Sequence, residues 1–283
     1  MFNCWTRFAL CTIYRFRAMI TPQILNKLQP EIRKLVIENM PFFNKRITSV
    51  LGVTNSKTIK GEKDGYLTGI LYLSPADSVT KETLCAYAKI AGCIDGCLYT
   101  AGRGIMKPVH MARVRKTIFY LFYREAFMTI LAVDIKKLKR KAKREFLTLV
   151  IRLNGTSDIQ WEHESYTNVY GKIFINIFKA FPTIQFYDYT KIPTRKVPEN
   201  YHLTFSYSDR PEYAKVVAKA KAKNPTRNIA VVFNGEPPTS FLGKTVISGD
   251  NNDLRFTDPE NVVVGLTAKG KAKHDTSGFV VNL

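Results

Sequence analysis

Apolar positions along the chain fall into helical blocks near its start and middle, and into short strand-like runs through the rest. From Thr21 to Met40, "TPQILNKLQPEIRKLVIENM" keeps apolar residues at helical spacing behind a capping Thr and a first-position Pro, with Pro30 as a break inside it. "GYLTGILYLSP" is a compact apolar run closed by Ser74 and Pro75, the pattern of a buried strand. Two helical stretches follow Gly104: "MKPVHMARVRKTIFYLFYREAFMTILAV", and then "DIKKLKRKAKREF", which Asp134 is expected to open as an N-cap. Downstream, the runs "FLTLVIRLNG", "IQFYDYT", "YHLTFSYS", "NIAVVFNG", "KTVISGD" and "NVVVGLTAKG" alternate with helical patterns such as "TNVYGKIFINIFKAF" and "PEYAKVVAKAKAKN". Strands alternating with helices argue for parallel pairing, and the number of strands approaches what a closed barrel requires. The expected fold is α/β, a parallel (β/α) barrel or partial barrel with an N-terminal helical extension. Its expected parts are a disordered or non-native extension over 1–20, a helical segment over 21–49 and one barrel-like domain over 50–283.

Charge adds a partner class. The 43 Lys and Arg outnumber the 23 Asp and Glu, a formal charge of +20 that favours polyanions, DNA or RNA first and anionic membrane second. The densest basic run carries Lys139, Arg140, Lys141 and Lys143. It reads either as nucleic-acid contacts or as a solvated helix face. No apolar run reaches the roughly 18 uninterrupted residues of a membrane-spanning helix, since Arg124 and Glu125 interrupt the longest. Arg7, Arg15 and Arg17 break the apolar N-terminus, so a secretory signal is not expected and the expected location is the cytoplasm. Five cysteines, three of them clustered, suit a reducing compartment better than a disulfide framework.

The clustered thiols are Cys85, Cys93 and Cys97, with spacing C-x7-C-x3-C and a glycine before each of the last two. They can be small buried hydrophobes. They can be zinc ligands, with His110 the nearest candidate for the fourth. They can also hold a four-iron iron-sulfur cluster, in which three thiolates leave one iron open to chelate a small molecule; that is the logic of S-adenosylmethionine radical chemistry and the preferred expectation. In parallel α/β folds the working residues leave the C-terminal ends of the strands, and there the chain turns polar. Asn154, Ser157 and Asp158 are candidates for cofactor binding, Asp158 as acceptor for an amino group or as a helix cap. Asp250 and Asp253 are candidates for the same cofactor, or with Arg255 form an ion-paired loop. Arg103, Asp188, Lys191, Arg195, Arg255 and Lys269 are candidates for contacts to an anionic substrate or phosphate. Tyr187, Tyr189, Phe205 and Tyr207 stack bases or fill the barrel. No phosphate loop of the G-x-x-x-x-G-K-[ST] type, metalloprotease histidine pair or G-x-S-x-G elbow occurs.

A three-cysteine loop after the first strand of an α/β barrel resembles radical S-adenosylmethionine enzymes, whose usual spacing is C-x3-C-x2-C. The stretches "GYLTGILYLSPADS", "CLYTAGRG", "HMARVRKT", "RLNGTSDIQWE", "QFYDYTK", "HLTFSYS", "GDNNDLRFTDP" and "GLTAKGKAKHDTSGFV" resemble a bacteriophage family sharing the domain called gene product eighty-eight, over roughly residues 55–281. That resemblance implies a phage origin, action in the bacterial cytoplasm and a cysteine-bearing barrel. Two functions are carried forward: a phage-encoded iron-sulfur protein of radical type acting on nucleic acid or a nucleotide, and a non-catalytic basic nucleic-acid-binding protein with structural zinc or no metal.

Overall fold

A computed structural model describes residues 19–54, 56–168 and 171–283. Residues 1–18 of the expected extension, Cys4 and Cys11 among them, lie outside the described residues. Ile20, counted with that extension, donates its N–H to Asn44 Oδ1 at 3.0 Å and so belongs to the fold.

The N-terminal pattern resolves into α1 (Pro22–Lys27), α2 (Pro30–Glu38) and α3 (Met40–Phe43). Thr21 caps α1, its side chain accepting from Ile24 N, and the chain breaks before Pro30 because proline cannot continue the helix that precedes it. Ile24, Leu28, Ile32, Val36 and Phe43 are buried against Met111, Val114 and Ile118 of α5 (Lys107–Phe122). α5 is followed by α6 (Arg124–Arg144), a single helix through the position where a cap was expected. Asp134 caps nothing. It is buried mid-helix and accepts from Ser49 Oγ at 2.8 Å, Val50 N at 2.7 Å and Leu51 N at 3.1 Å, tying the entry to the sheet onto α6.

The sheet has nine strands. β1 (Leu51–Gly52) precedes α4 (Ser56–Lys63), and β2 (Tyr66–Leu71) precedes the cysteine segment and α5. β3 (Thr148–Arg152), β6 (Gln185–Thr190), β7 (Tyr201–Ser206), β8 (Ile229–Phe233), β10 (Lys244–Ser248) and β11 (Val263–Thr267) are the six downstream runs. α8 (Ala214–Lys223) links β7 to β8. Where one helix was expected over 167–181, the chain makes a hairpin of β4 (Tyr166–Thr167) and β5 (Ile173–Phe174) and only a short α7 (Ile177–Ala180). β9 (Ser240–Phe241) completes the count, in the order β1-β2-β3-β6-β7-β8-β11-β10-β9.

Every pair from β2 to β10 is parallel, as the alternation predicted. The barrel is not closed. β2 gives its outer edge to antiparallel β1, and β10 gives its outer edge to antiparallel β9, so neither has an edge left to join the other. Alternate residues of β3 divide between two faces. Leu149 and Ile151 join the large core with Phe119, Phe127 and Trp161, while Val150 packs with Tyr187 and Leu254 on the other face.

The Asp134 junction predicts that Asp134→Ala, which leaves two backbone N–H groups without their carboxylate, lowers stability by about 3 kcal/mol. The shift of the urea midpoint relative to wild type measures it.

Candidate functional site

The site is assembled where β2, β3, β6, β7 and β11 end. After β3, "NGTSDIQW" folds on a single amide. Asn154 Oδ1 accepts from Ser157 Oγ at 2.9 Å, Ile159 N at 3.0 Å and Trp161 Nε1 at 3.1 Å, while its Nδ2 donates to Ile159 O at 3.0 Å. This turn docks on the preceding crossover, Gly155 N donating to Leu71 O and Asp158 N to Leu84 O. A side chain at Gly155 would meet Leu71 O and the Tyr72 ring at 2.7 Å, so only glycine allows that approach. The start of the cysteine loop is thereby fixed to the end of β3.

The loop itself is a chain of tight turns. Ala76 N donates to Cys85 Sγ at 3.3 Å, and Cys93 N donates to Ala88 O at 3.2 Å. Its far side is clamped from two places: in the C-terminal segment Ser277 Oγ donates to Gly92 O at 3.0 Å, and just past β7 Ser208 Oγ donates to Ala91 O at 2.8 Å. Gly92 has φ +68°, and a Cβ there would stand 2.5 Å from Ser277 Oγ. The glycine before Cys93 thus serves contact with the chain's own C-terminal segment.

Cys85, Cys93 and Cys97 all line one cavity of about 210 Å³ at this edge of the sheet. Asn154, Ser157, Asp158, Lys191, Asp250 and Lys269 line it as well, together with Arg152 and Ser206. Its wall is mostly apolar, from Leu98, Val232, Leu266, Ala272 and Phe279. No disulfide joins the three thiols. Burial pushes the Cys85 thiol up to about 12, helped by the negative charge of Asp158, Cys97 and Cys93. Burial and Cys93 push Cys97 up to about 12, against the pull of Arg113. Cys93 is raised by burial and eased by Lys191. A multivalent cation bound to the sulfurs would reverse that direction. Among the described residues, no three His, Cys, Asp or Glu side chains form a group that could hold a metal ion.

The remaining candidates separate by distance from the cavity. Lys191 is buried, its Nζ donating to Ser206 Oγ at 3.0 Å, Ser206 O at 3.2 Å and Tyr207 O at 3.1 Å; burial lowers it to about 8. Asp158 accepts from Lys191 N at 2.8 Å and from Arg195 Nη1 at 3.1 Å, and it caps no helix. Arg195 also donates to Glu162 and lies behind the cavity. Asp253 pairs with Arg152, and Arg255, buried, pairs with Asp258 at 3.3 Å, so Asp250, Asp253 and Arg255 each take a partner other than one another. Asp188 lies below, accepting from Leu153 N, Asn154 N and Tyr201 Oη. Lys269 pairs with Asp250 at the rim. Arg103 is exposed in a 3₁₀ turn outside the cavity. Lys139, Arg140, Lys141 and Lys143 ride α6, whose last turn leads into the start of β3, so they stand at the opposite end of the sheet from the cysteines.

Two residues escaped the reading of the chain. Arg152 ends an apolar strand yet lines the cavity floor, its guanidinium 4.9 Å from the Tyr189 ring centroid. Arg113 is buried in α5 between the Tyr72 and Tyr99 rings, 5.1 Å from each centroid. A lone arginine closing an apolar strand run is the signal that marks Arg152, whereas Arg113 stands beside Arg115 and Lys116 and nothing in its spacing sets it apart.

A family model described as gene product 88 matches residues 48–283. No curated protein and no solved structure matches the chain.

In chelator-treated protein, Cys85 and Cys97 should stay protonated near neutral pH and react with iodoacetamide at least about tenfold more slowly than in urea. Each thiol is raised from 9.0 to about 12, so the stability it contributes is complete below pH 9 and is lost as pH rises from 9 towards 12. Alkylation followed by peptide mapping reads the first effect, and urea midpoints at alkaline pH read the second.

Proposed function

With the chain a member of the gene product 88 family of bacteriophage proteins, we propose that it is an iron-sulfur protein in which Cys85, Cys93 and Cys97 hold a four-iron cluster and the remaining cavity takes S-adenosylmethionine. The observation that carries this reading is the convergence of the three thiols on one cavity at the C-terminal edge of a parallel sheet. Three thiols are the right number and kind of donor for the group, and holding it would require their sulfurs to draw together, since among the described residues they do not form a metal-holding set. Three thiolates suit a cluster with one iron left open, whereas structural zinc takes four protein ligands. His110, the nearest fourth ligand, is not among the cavity-lining residues and packs its ring against Tyr99, 5.5 Å between centroids.

When bound, such a cluster supplies single electrons to a molecule chelated at its open iron. The chain's own residues arrange the surroundings. Asn154 shapes the turn that meets the cysteine loop, and its amide groups are engaged in that task. Lys191 brings a buried cation beside Cys93 and offsets thiolate charge. Asp158 braces the rim through Arg195, and the Ser206 side chain and the Lys269–Asp250 pair line the open side. Apolar walls from Val232, Leu266 and Phe279 limit water around any molecule held there. The reducing host cytoplasm as the location goes with this reading, since three unpaired thiols persist in a reducing compartment, and the proposed substrate is a nucleotide or nucleic-acid base.

Anaerobic reconstitution with iron and sulfide should give a brown protein with roughly four irons per chain, and Cys93→Ala should lose most of that iron and colour. A colourless wild type without bound iron overturns the cluster. A brown protein that leaves S-adenosylmethionine intact under reduction keeps the cluster and removes the radical chemistry.

A further inference from the structure

We propose that the C-terminal end of α6 is a docking site for single-stranded nucleic acid, with phosphates held by Lys137, Arg140, Lys143 and Arg144 and a base stacked on Phe146. α6 ends in a Schellman turn: Leu147 N donates to Ala142 O at 2.9 Å and Phe146 N to Lys143 O at 3.4 Å. The turn demands a left-handed residue, and Phe146 takes that conformation with φ 55°. Glycine is the ordinary occupant, because a Cβ is strained there. The ring gains nothing from the fold in return, being 97% exposed. A bulky aromatic kept in a strained conformation in full solvent points to a partner outside the chain.

The neighbouring side chains say what that partner is. Lys137, Arg140 and Arg144 recur at i, i+3 and i+7 on one helix face, and with Lys143 they line an open depression of about 680 Å³ that no acidic residue lines. Glu145, the acid nearest in sequence, faces Lys141 at 3.8 Å. Four cations over the last turns of the helix that ends at one exposed ring match a strand of phosphates with unpaired bases, which present π-faces that a duplex conceals. A membrane surface would be met by several apolar side chains on one face, and here one exposed ring follows a run of charged residues. Strand β3 separates this site from the cysteine cavity by about 20 Å, so it holds a polyanion independently of any chemistry there.

The test is fluorescence anisotropy with labelled single-stranded and duplex oligonucleotides of the same mixed sequence, at several salt concentrations. Wild type should prefer the single strand, with log affinity falling against log salt with a slope near −3, from about −0.7 for each of four phosphates. Phe146→Gly should weaken single-strand binding at least about fivefold while unfolding no earlier in urea, since glycine suits the turn. Phe146→Tyr should bind as wild type does. The double variant Arg140→Gln, Arg144→Gln should lose affinity and about half the salt slope. Equal binding by Phe146→Gly and wild type, a duplex preference, or Phe146-dependent binding to phosphatidylserine vesicles without oligonucleotide binding each overturns the proposal. Because no metal enters the assay, its outcome is separate from that of the cluster test.

Discussion

Arg152 carries a full positive charge into the interior at the end of β3, where 4% of the residue meets solvent. An isolated guanidinium there would cost several kcal/mol, so the surrounding chain must supply anions and place them well. It does so from two remote segments. Asp253 pairs with Nη1, and Asp188 of β6 approaches Nε at 3.5 Å. Tyr189 stacks on the guanidinium and its hydroxyl donates to Asp253 at 3.4 Å. Strand β3, strand β6 and the segment around residue 253 are held in one relation by this charge, and the face of the sheet they share becomes the floor of the cavity.

On that floor the cavity is shaped by backbone rather than by side chains seeking a ligand. Asp188 accepts both Leu153 N and Asn154 N, so the carboxylate that steadies Arg152 also sets the first residues of the Asn154 turn. That turn anchors the cysteine loop from one side, and Ser277 and Ser208 anchor it from the other. The thiols share a cavity because four segments distant in sequence are each hydrogen-bonded to the next. Their suppressed ionisation follows from the same enclosure, since burial that excludes water also withholds what would stabilise a thiolate.

The two charged features of the chain are thus kept apart. Cations of the interior, Arg152, Arg195 and Arg255, are matched by carboxylates and serve cohesion. The excess positive charge lies on outer helices such as α6, where water screens it and a polyanion can reach it.

Read alone, the chain determined what local period can determine. The strand runs, the parallel pairing, the Thr21 cap, the break at Pro30 and the polar strand ends were legible because side-chain spacing and backbone propensity act within a few residues. The cysteine loop after β2 was legible for the same reason. Closure of the sheet was not, since it turns on whether β1 and β9 occupy the outer edges, and strands of two residues leave almost no pattern. The hairpin over 166–174 hid under a helical period, which its apolar residues satisfy equally well. Asp134 looked like a cap because Asp at the head of a helical run usually is one; only tertiary packing brought three donors from residues 49–51 to its carboxylate. Tertiary structure likewise decided that Arg195 pairs with Asp158 and Glu162 and Asp253 with Arg152, while Lys191, Asp250 and the three cysteines share a cavity. Such choices depend on which distant charge arrives within a few ångströms, a quantity that spacing along a chain does not encode.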